Sequence, residues 1–194
     1  MIYSLKGTVQ ELNPTSVVID VQGVGYYVGI SLQTSEKLQL GQPAFLNIQQ
    51  IIREDAHLLF GFNTILEKEM FNLLISVNGV GPVSAIIMLS SLSLEEIASA
   101  ILSNNSALLQ KVKGIGTKTA ERIIVDLRDK VQKFKNSEEN ISAVVNNKVK
   151  EEALSALEVL GIAKKMSEKI ADRILKQNQE LNVEDLVKQI LKNI

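Results

Sequence analysis

The sequence predicts a multidomain α+β protein. Residues 1–62 read as an OB-type β-barrel, 63–135 as an all-helical tandem helix-hairpin-helix domain, 136–147 as a flexible linker and 148–194 as a three-helix bundle. Three observations predict this. Apolar side chains alternate with period two up to Phe62, then switch to helical spacing from Asn63 onward. The helical middle repeats itself at an offset of 35 residues. A polar stretch without periodicity then separates it from three further amphipathic segments.

In the first segment an opening strand spans about Ile2–Leu12. Val17, Ile19 and Val21 alternate with Val18 and Asp20, and Val24, Tyr26, Val28 and Ile30 follow across Gln22-Gly23, a hairpin signal. Leu46, Ile48 and Ile52 share one face of a later strand, and Leu58, Phe60 and Phe62 share a face of the next. Five short strands with no good helix between them suggest a small barrel of the OB type. Periodicity alone does not separate it from an SH3-like barrel.

From Thr64 the pattern is helical. Thr64-Ile65-Leu66-Glu67 and Ser93-Leu94-Glu95-Glu96 both read as capping boxes. A further helix begins near Thr117 and turns Ala120, Ile124, Leu127 and Val131 to one side. Residues 136–147 are polar and read as the linker. Beyond them, amphipathic stretches at 148–160, 163–177 and 183–193 form a small bundle, with Asn182 capping the third.

Composition excludes several kinds of chemistry. With no Cys and a single His, His57, the chain has no disulfide, thiolate nucleophile, Cys-based metal site, His-rich metal centre or two-His catalysis. Neither a metal nor a cofactor is expected. Met1-Ile2-Tyr3-Ser4 runs straight into polar residues, and no apolar run approaches a membrane span. A cytoplasmic protein without membrane contact is the expectation. The formal net charge of −1 hides a strong local bias. Residues 109–135 carry eight basic side chains against Glu121, Asp126 and Asp129, a net +5, whereas residues 1–62 sum to −2. A basic stretch of this kind suits nucleic acid, though a solvated helix face can look the same.

The internal repeat decides between these. Leu73–Ala85 aligns without gaps onto Leu108–Ala120 in a shared frame, LLxxVxG[VI]GxxxA. In each copy a helix runs into Gly-apolar-Gly and a second helix starts at once. Glycines allow positive φ and close approach of another backbone. The central Val80 or Ile115 can plug the turn into the core. Free N–H groups and the dipole of the new helix then converge on one spot that suits a phosphate. Two such sites about a pseudo-twofold axis match two strands of a duplex, read by shape and not by sequence. Gly114-Ile115-Gly116-Thr117-Lys118-Thr119 resembles the tail of a Walker A loop, but Thr117 stands where that motif needs Gly. Gly23, Gly25 and Gly29 miss the dinucleotide spacing by one residue. Nucleotide binding is therefore not expected.

The paired repeat, the barrel and the three-helix tail together resemble the RuvA family, the Holliday-junction-recognising subunits of the bacterial RuvAB branch migration complex. The resemblance spans the chain. It is carried by Asn78-Gly79-Val80-Gly81-Pro82, Gly114–Arg122, Ile52-Arg53-Glu54-Asp55-Ala56, Gly23-Val24-Gly25-Tyr26 and Leu59-Phe60-Gly61-Phe62. It implies a non-catalytic subunit that binds four-way junction DNA and targets a RuvB-type hexameric ATPase, which itself uses the ATP, in recombination and repair. It further implies a fourfold homotetramer and leaves open a paired octamer and a RuvC-type junction resolvase as an additional partner. The DNA-binding residues it points to, in agreement with the helix-terminus argument, are Gly79, Val80, Gly81, Ser84, Gly114, Ile115, Gly116, Lys118, Thr119 and Arg122. Glu54 and Asp55 correspond to the acidic pin at the crossover, although the tripeptide by itself reads as a polar turn. The bundle resembles the motor-binding domain, with Leu157, Leu160, Gly161 and Ile162 as the implied contact. The chain departs from the family pattern twice. Val83 and Ser84 stand where relatives commonly have Lys, so the second hairpin should supply more of the electrostatic binding. Ile162 stands where many relatives carry Tyr.

Two rival functions are compatible with the sequence. One is an adaptor tethering another nuclease or helicase to branched DNA. The other is a glycosylase-type enzyme built on helix-hairpin-helix elements, for which Asp126 or Asp129 would be the acid. The second lacks the additional helical mass that would shape a base pocket.

Overall fold

The computed structural model describes residues 1–160, 162, 164–177 and 181–193. The chain forms two compact units, Met1–Lys133 and Phe134–Ile194.

The first unit opens with β1 (Ser4–Asn13), β2 (Ser16–Val21) and β3 (Val24–Ile30), then α1 (Leu32–Ser35), β4 (Pro43–Ile52) and β5 (His57–Phe62). The strands close a barrel in the order β1-β2-β3-β5-β4. β1 pairs antiparallel with both β2 and β4, and its register shifts between Val9 and Glu11. A bulge there lets one long strand bend around the barrel. The parallel β3–β5 pair closes it, which makes this the OB arrangement. The β2–β3 turn places both Gln22 and Gly23 at positive φ, 53° and 88°, the twist that a two-residue hairpin needs.

Val17, Ile19, Val28, Ile30, Leu46 and Ile48 fill the barrel, as their alternation implies. Two strand faces differ from the sequence reading. Ile52 is 62% exposed at the far end of β4. Phe60 and Phe62 do not line the barrel lumen; they pack on Phe71, with ring centroids 5.2 and 4.9 Å away. Gly61 faces inward instead, where a Cβ would lie 2.7 Å from Val28 Cγ1. Period-two alternation groups residues by face, but it does not say which face is the lumen when both are covered. The helix α1 leaves no periodic trace in the sequence. Four residues are too few for any periodicity, although Ser31 caps it through Thr34 N–H.

The helices α2 (Ile65–Ile75), α3 (Pro82–Ser91), α4 (Leu94–Leu102), α5 (Ser106–Gln110) and the start of α6 (Thr117–Val159) complete this unit. Met70, Phe71, Leu74, Met88, Leu89, Ile97, Ile101, Leu109, Ala120 and Leu127 are buried among them. The capping box at Ser93 and Glu96 forms in full. The one expected at Thr64 forms only by half. Thr64 accepts from Glu67 N–H at 3.1 Å, but the Glu67 carboxylate turns away to Ser31 and Thr34.

α6 is helical through 136–147, the stretch that reads as a linker. No Gly or Pro lies between Thr117 and Val159, so nothing local stops the helix. The stretch begins just after the first compact unit ends, so it keeps the place of a connection between the two units.

In the second unit the end of α6 packs with α7 (Lys164–Gln177) and α8 (Val183–Lys192) around Ala153, Leu157, Ala171, Ile174, Leu175, Leu186 and Ile190. Asn182 caps α8 through Asp185 N–H at 2.8 Å, as expected. Lys150 Nζ joins two helices by bridging Asp172 at 2.8 Å and Glu168 at 3.3 Å. The hydrogen bond to Asp172 and then that to Glu168 hold the Lys150 pKa above its ordinary value, against some loss from burial. A lysine pKa raised by folding stabilises below the unfolded value, and that contribution vanishes as pH climbs through the raised one. The bundle should therefore lose stability above about pH 10.4. Lys150→Met should remove this share of the alkaline loss, measured by melting between pH 8 and about 12.

Among the described residues no single helix is long and apolar enough to cross a membrane.

Candidate nucleic-acid interface

The two sequence repeats form two hairpins with the same bonding. In the first, Val77 N–H donates to Leu74 O at 3.1 Å, Val80 N–H to Val77 O at 3.0 Å and Ala85 N–H to Gly81 O at 3.0 Å. In the second, Val112 donates to Leu109 at 3.2 Å, Ile115 to Val112 at 3.1 Å and Ala120 to Gly116 at 2.9 Å. Gly79 and Gly114 adopt φ of 96° and 91°, turning the chain between helices. Val80 and Ile115, only 6% and 5% exposed, plug each turn into the core.

The second glycine of each hairpin has no such conformational reason. Gly81 has φ −84° and ψ 165°, values open to any residue. A Cβ on Gly81 or Gly116 would meet nothing within 4 Å. Packing within the chain therefore does not demand glycine at either place, whereas close approach of a ligand backbone would. Gly81 caps α3 with no side-chain hydrogen bond and Pro82 at the first position carries no N–H, so the free amides of that turn are those of Val83 and Ser84, with no side-chain acceptor at the cap.

The remaining site residues divide by role. Val80 and Ile115 bury their side chains and spend their N–H groups inside the turn, so they shape the hairpins without reaching outward. Gly114 lies beside the start of α3, its would-be Cβ 3.9 Å from Ser84 Oγ, which brings the two hairpins onto one surface. Ser84 and Thr119 are half-buried, and Lys118 and Arg122 are exposed. Arg122 Nε pairs with Asp126 at 3.5 Å, one turn along α6. Val83 is 66% exposed at the mouth of the first hairpin. The surface is thus cationic at the second hairpin and uncharged at the first. Replacing Lys118 and Arg122 together by Ala is expected to weaken DNA binding and reduce the slope of log K against log salt by about 1.8, at about 0.9 for each phosphate no longer neutralised. Binding titrations across salt would show it.

One contact escaped the sequence reading. Thr117 Oγ1 donates to Gln110 Oε1 at 3.0 Å, tying the end of α5 to the start of α6. Both residues occupy variable positions of the repeated frame, so no repeated signal marks the pair.

Glu54 and Asp55 sit at the exposed tip between β4 and β5, in a turn closed by Arg53 N–H donating to Ala56 O at 2.8 Å. Among the described residues neither carboxylate is in an ion pair. The tip is a pair of solvated negative charges at one end of the barrel.

In the second unit the structure corrects one assignment. Leu157 is 0% exposed and packs in the bundle core, so its side chain offers no contact to a partner. The helical period placed it on the apolar face, and that face is consumed by α7 and α8. Leu160 is 63% exposed. Ile162 is half-buried against the core, and its N–H donates to Leu157 O at 3.0 Å, closing the helix end. Gly161 lies outside the described residues. Among the described residues no group of three or more acidic, His or Cys side chains is placed to hold a metal ion.

Comparison with known proteins agrees with this layout. Residues 1–61 match the RuvA N terminal domain, 71–129 the SAM-like helix-hairpin-helix tandem, and 148–194 the RuvA C-terminal domain. The chain is 45% identical, over all of both sequences, to the Holliday junction branch migration complex subunit RuvA of Christiangramia forsetii. It is 45% identical over all of both to the protein of that name from Flavobacterium psychrophilum, and 43% identical over 99% of each to that from Cytophaga hutchinsonii. With the barrel, the tandem hairpins and the terminal bundle each matched in order, the chain belongs to the RuvA family.

Proposed function

We propose that this chain is the non-catalytic, junction-recognising subunit of a branch migration complex. It binds four-way junction DNA without regard to sequence, holds the junction open and flat, and brings a RuvB-type hexameric ATPase to the arms. ATP is spent by that motor. The working form is a homotetramer, in the cytoplasm, serving homologous recombination and DNA repair.

The observation that carries this reading is the matched pair of hairpins whose second glycines, Gly81 and Gly116, the fold itself does not require. Each offers amides and a helix N-terminus to one phosphate, and two together suit the two strands of a duplex arm. Positioning comes from the backbone, so no base edge is read. Lys118 and Arg122 add attraction at the second hairpin. Glu54 and Asp55 act in the opposite sense. Beside a continuous duplex, two carboxylates repel phosphates; gathered on a fourfold axis, they hold four strands apart at the crossover. Selectivity for a junction then comes from combining attraction along the arms with repulsion at the centre.

Gel shift with matched sequences tests the reading: the four-way junction should bind far more tightly than linear duplex, and equal affinity for both would sink it. Neutralising the tip as Glu54→Gln with Asp55→Asn should strengthen linear-duplex binding and narrow the junction preference by about 10-fold.

A further inference from the structure

A buried carboxylate sits at the joint between the acidic tip and the hairpins. Glu67 is 5% exposed. It belongs to the first turn of α2, immediately after β5. The acidic tip precedes β5 and the first hairpin follows α2, so the chain between them is β5, a two-residue joint at Asn63 and Thr64, and α2. Whatever sets the angle of that joint sets the tip relative to the hairpins.

Apolar contact alone sets it loosely. Phe60 and Phe62 lie against Phe71 at ring tilts of 34° and 46°, contacts that tolerate sliding. Directional bonds supply the rest. Ser31 Oγ donates to Glu67 Oε1, and Thr34 Oγ1 donates to Oε2 at 2.6 Å. Asn63 N–H donates to Thr34 Oγ1, and Thr34 N–H to Ser31 Oγ, each at 3.0 Å. The same short helix α1 reaches α3: Leu32 N–H donates to Ser90 Oγ, and Gln33 Nε2 to Leu92 O, both at 3.0 Å. The Glu67 carboxylate forgoes the capping-box bond that Glu96 makes in α4. A buried carboxylate is a costly way to gain stability, since apolar replacements often serve as well. Fixed orientation is what its two acceptor oxygens add.

We propose that Glu67 is a positioning residue for junction recognition, which through Ser31 and Thr34 locks the β5–α2 joint and so holds the acidic tip at a fixed distance from the hairpins. The proposal rests on the reading of the chain as a junction binder. The expected result is that Glu67→Ala lowers the ratio of junction to linear-duplex affinity by about 5- to 10-fold, the lower range of coupling between two sites. Linear-duplex affinity stays within about 2-fold, because the hairpins are intact. Glu67→Gln keeps an acceptor and restores most of the ratio. If Glu67→Ala does not fold, Thr34→Val carries the same comparison. A DNA-free measurement runs beside it. The chain has no native Cys, so spin labels at Ile52→Cys and Val125→Cys, in chains diluted with unlabelled protein, report the joint. The distance distribution should be narrow in the parent and in Glu67→Gln, and broad or shifted in Glu67→Ala. An unchanged distribution, or equal loss of junction and duplex binding, overturns the proposal. A parent that shows no junction preference overturns the functional reading instead, while the label distances still decide the lock.

Discussion

Replacing Gly81 and Gly116 together by Asp is expected to leave the fold at least as stable as the parent while weakening DNA binding by about 100-fold or more. Both residues occupy N-cap positions, since Ala85 N–H donates to Gly81 O and Ala120 N–H to Gly116 O. Asp is the better cap, by a few tenths of a kcal/mol over Gly at each helix. A carboxylate there also complements the helix dipole. Neither position needs a glycine for space, because a Cβ would meet nothing within 4 Å. The same carboxylate occupies the spot proposed for a phosphate and repels it. Stability and affinity thus move in opposite directions, which general damage to the fold would not produce. Thermal melting and a duplex titration decide it: a stable variant with parental affinity would remove the hairpins from the interface. The corresponding change at Gly79 or Gly114 is a poorer test. Their φ near 90° makes any side chain strained, so stability falls too.

Leu157→Ala should destabilise the second unit by about 2–5 kcal/mol, whereas Leu160→Ala should change it by no more than about 0.5 kcal/mol. Leu157 is fully enclosed among Ala153, Ala171, Leu186 and their neighbours, so truncation leaves a cavity. A domain of this length has about 3–9 kcal/mol in total, so the loss is a large share of it. Hydrogen exchange on the full chain should show protection in α7 and α8 falling by about 30- to 5000-fold for Leu157→Ala. Capture of a RuvB-type ATPase should weaken in both variants, through unfolding in one and through removal of exposed apolar surface in the other. Parental protection in Leu157→Ala with failed capture would return Leu157 to the contact surface.

Much of the candidate interface is legible in the sequence. The 35-residue repeat marks both hairpins, because each demands the same glycine spacing and the same apolar plug, and local demands of that kind are written in adjacent residues. Lys118, Arg122, Glu54 and Asp55 are exposed, as local polarity implies. Leu157 was not assignable, since an apolar helical position reads alike whether it meets its own bundle or a partner. Phe60 and Phe62 share that ambiguity, with two covered faces on one strand. Glu67 looked like a capping residue because its local spacing is that of a capping box; its partners stand 33 and 36 positions earlier in the chain.

The near-neutral charge, the absence of thiol and His-metal chemistry, the switch from period two to helical spacing and the duplicated hairpin are properties of composition and short-range order, and the sequence alone determined them. The tertiary structure alone decided which barrel the strands close, since pairing β3 parallel to β5 joins distant segments. It alone joined α1 to α2 and α3 through Ser31, Thr34 and Ser90. Hydrogen bonds between residues far apart in the chain leave no periodic trace, because their spacing is set by the path of the backbone and not by the repeat of a helix or strand.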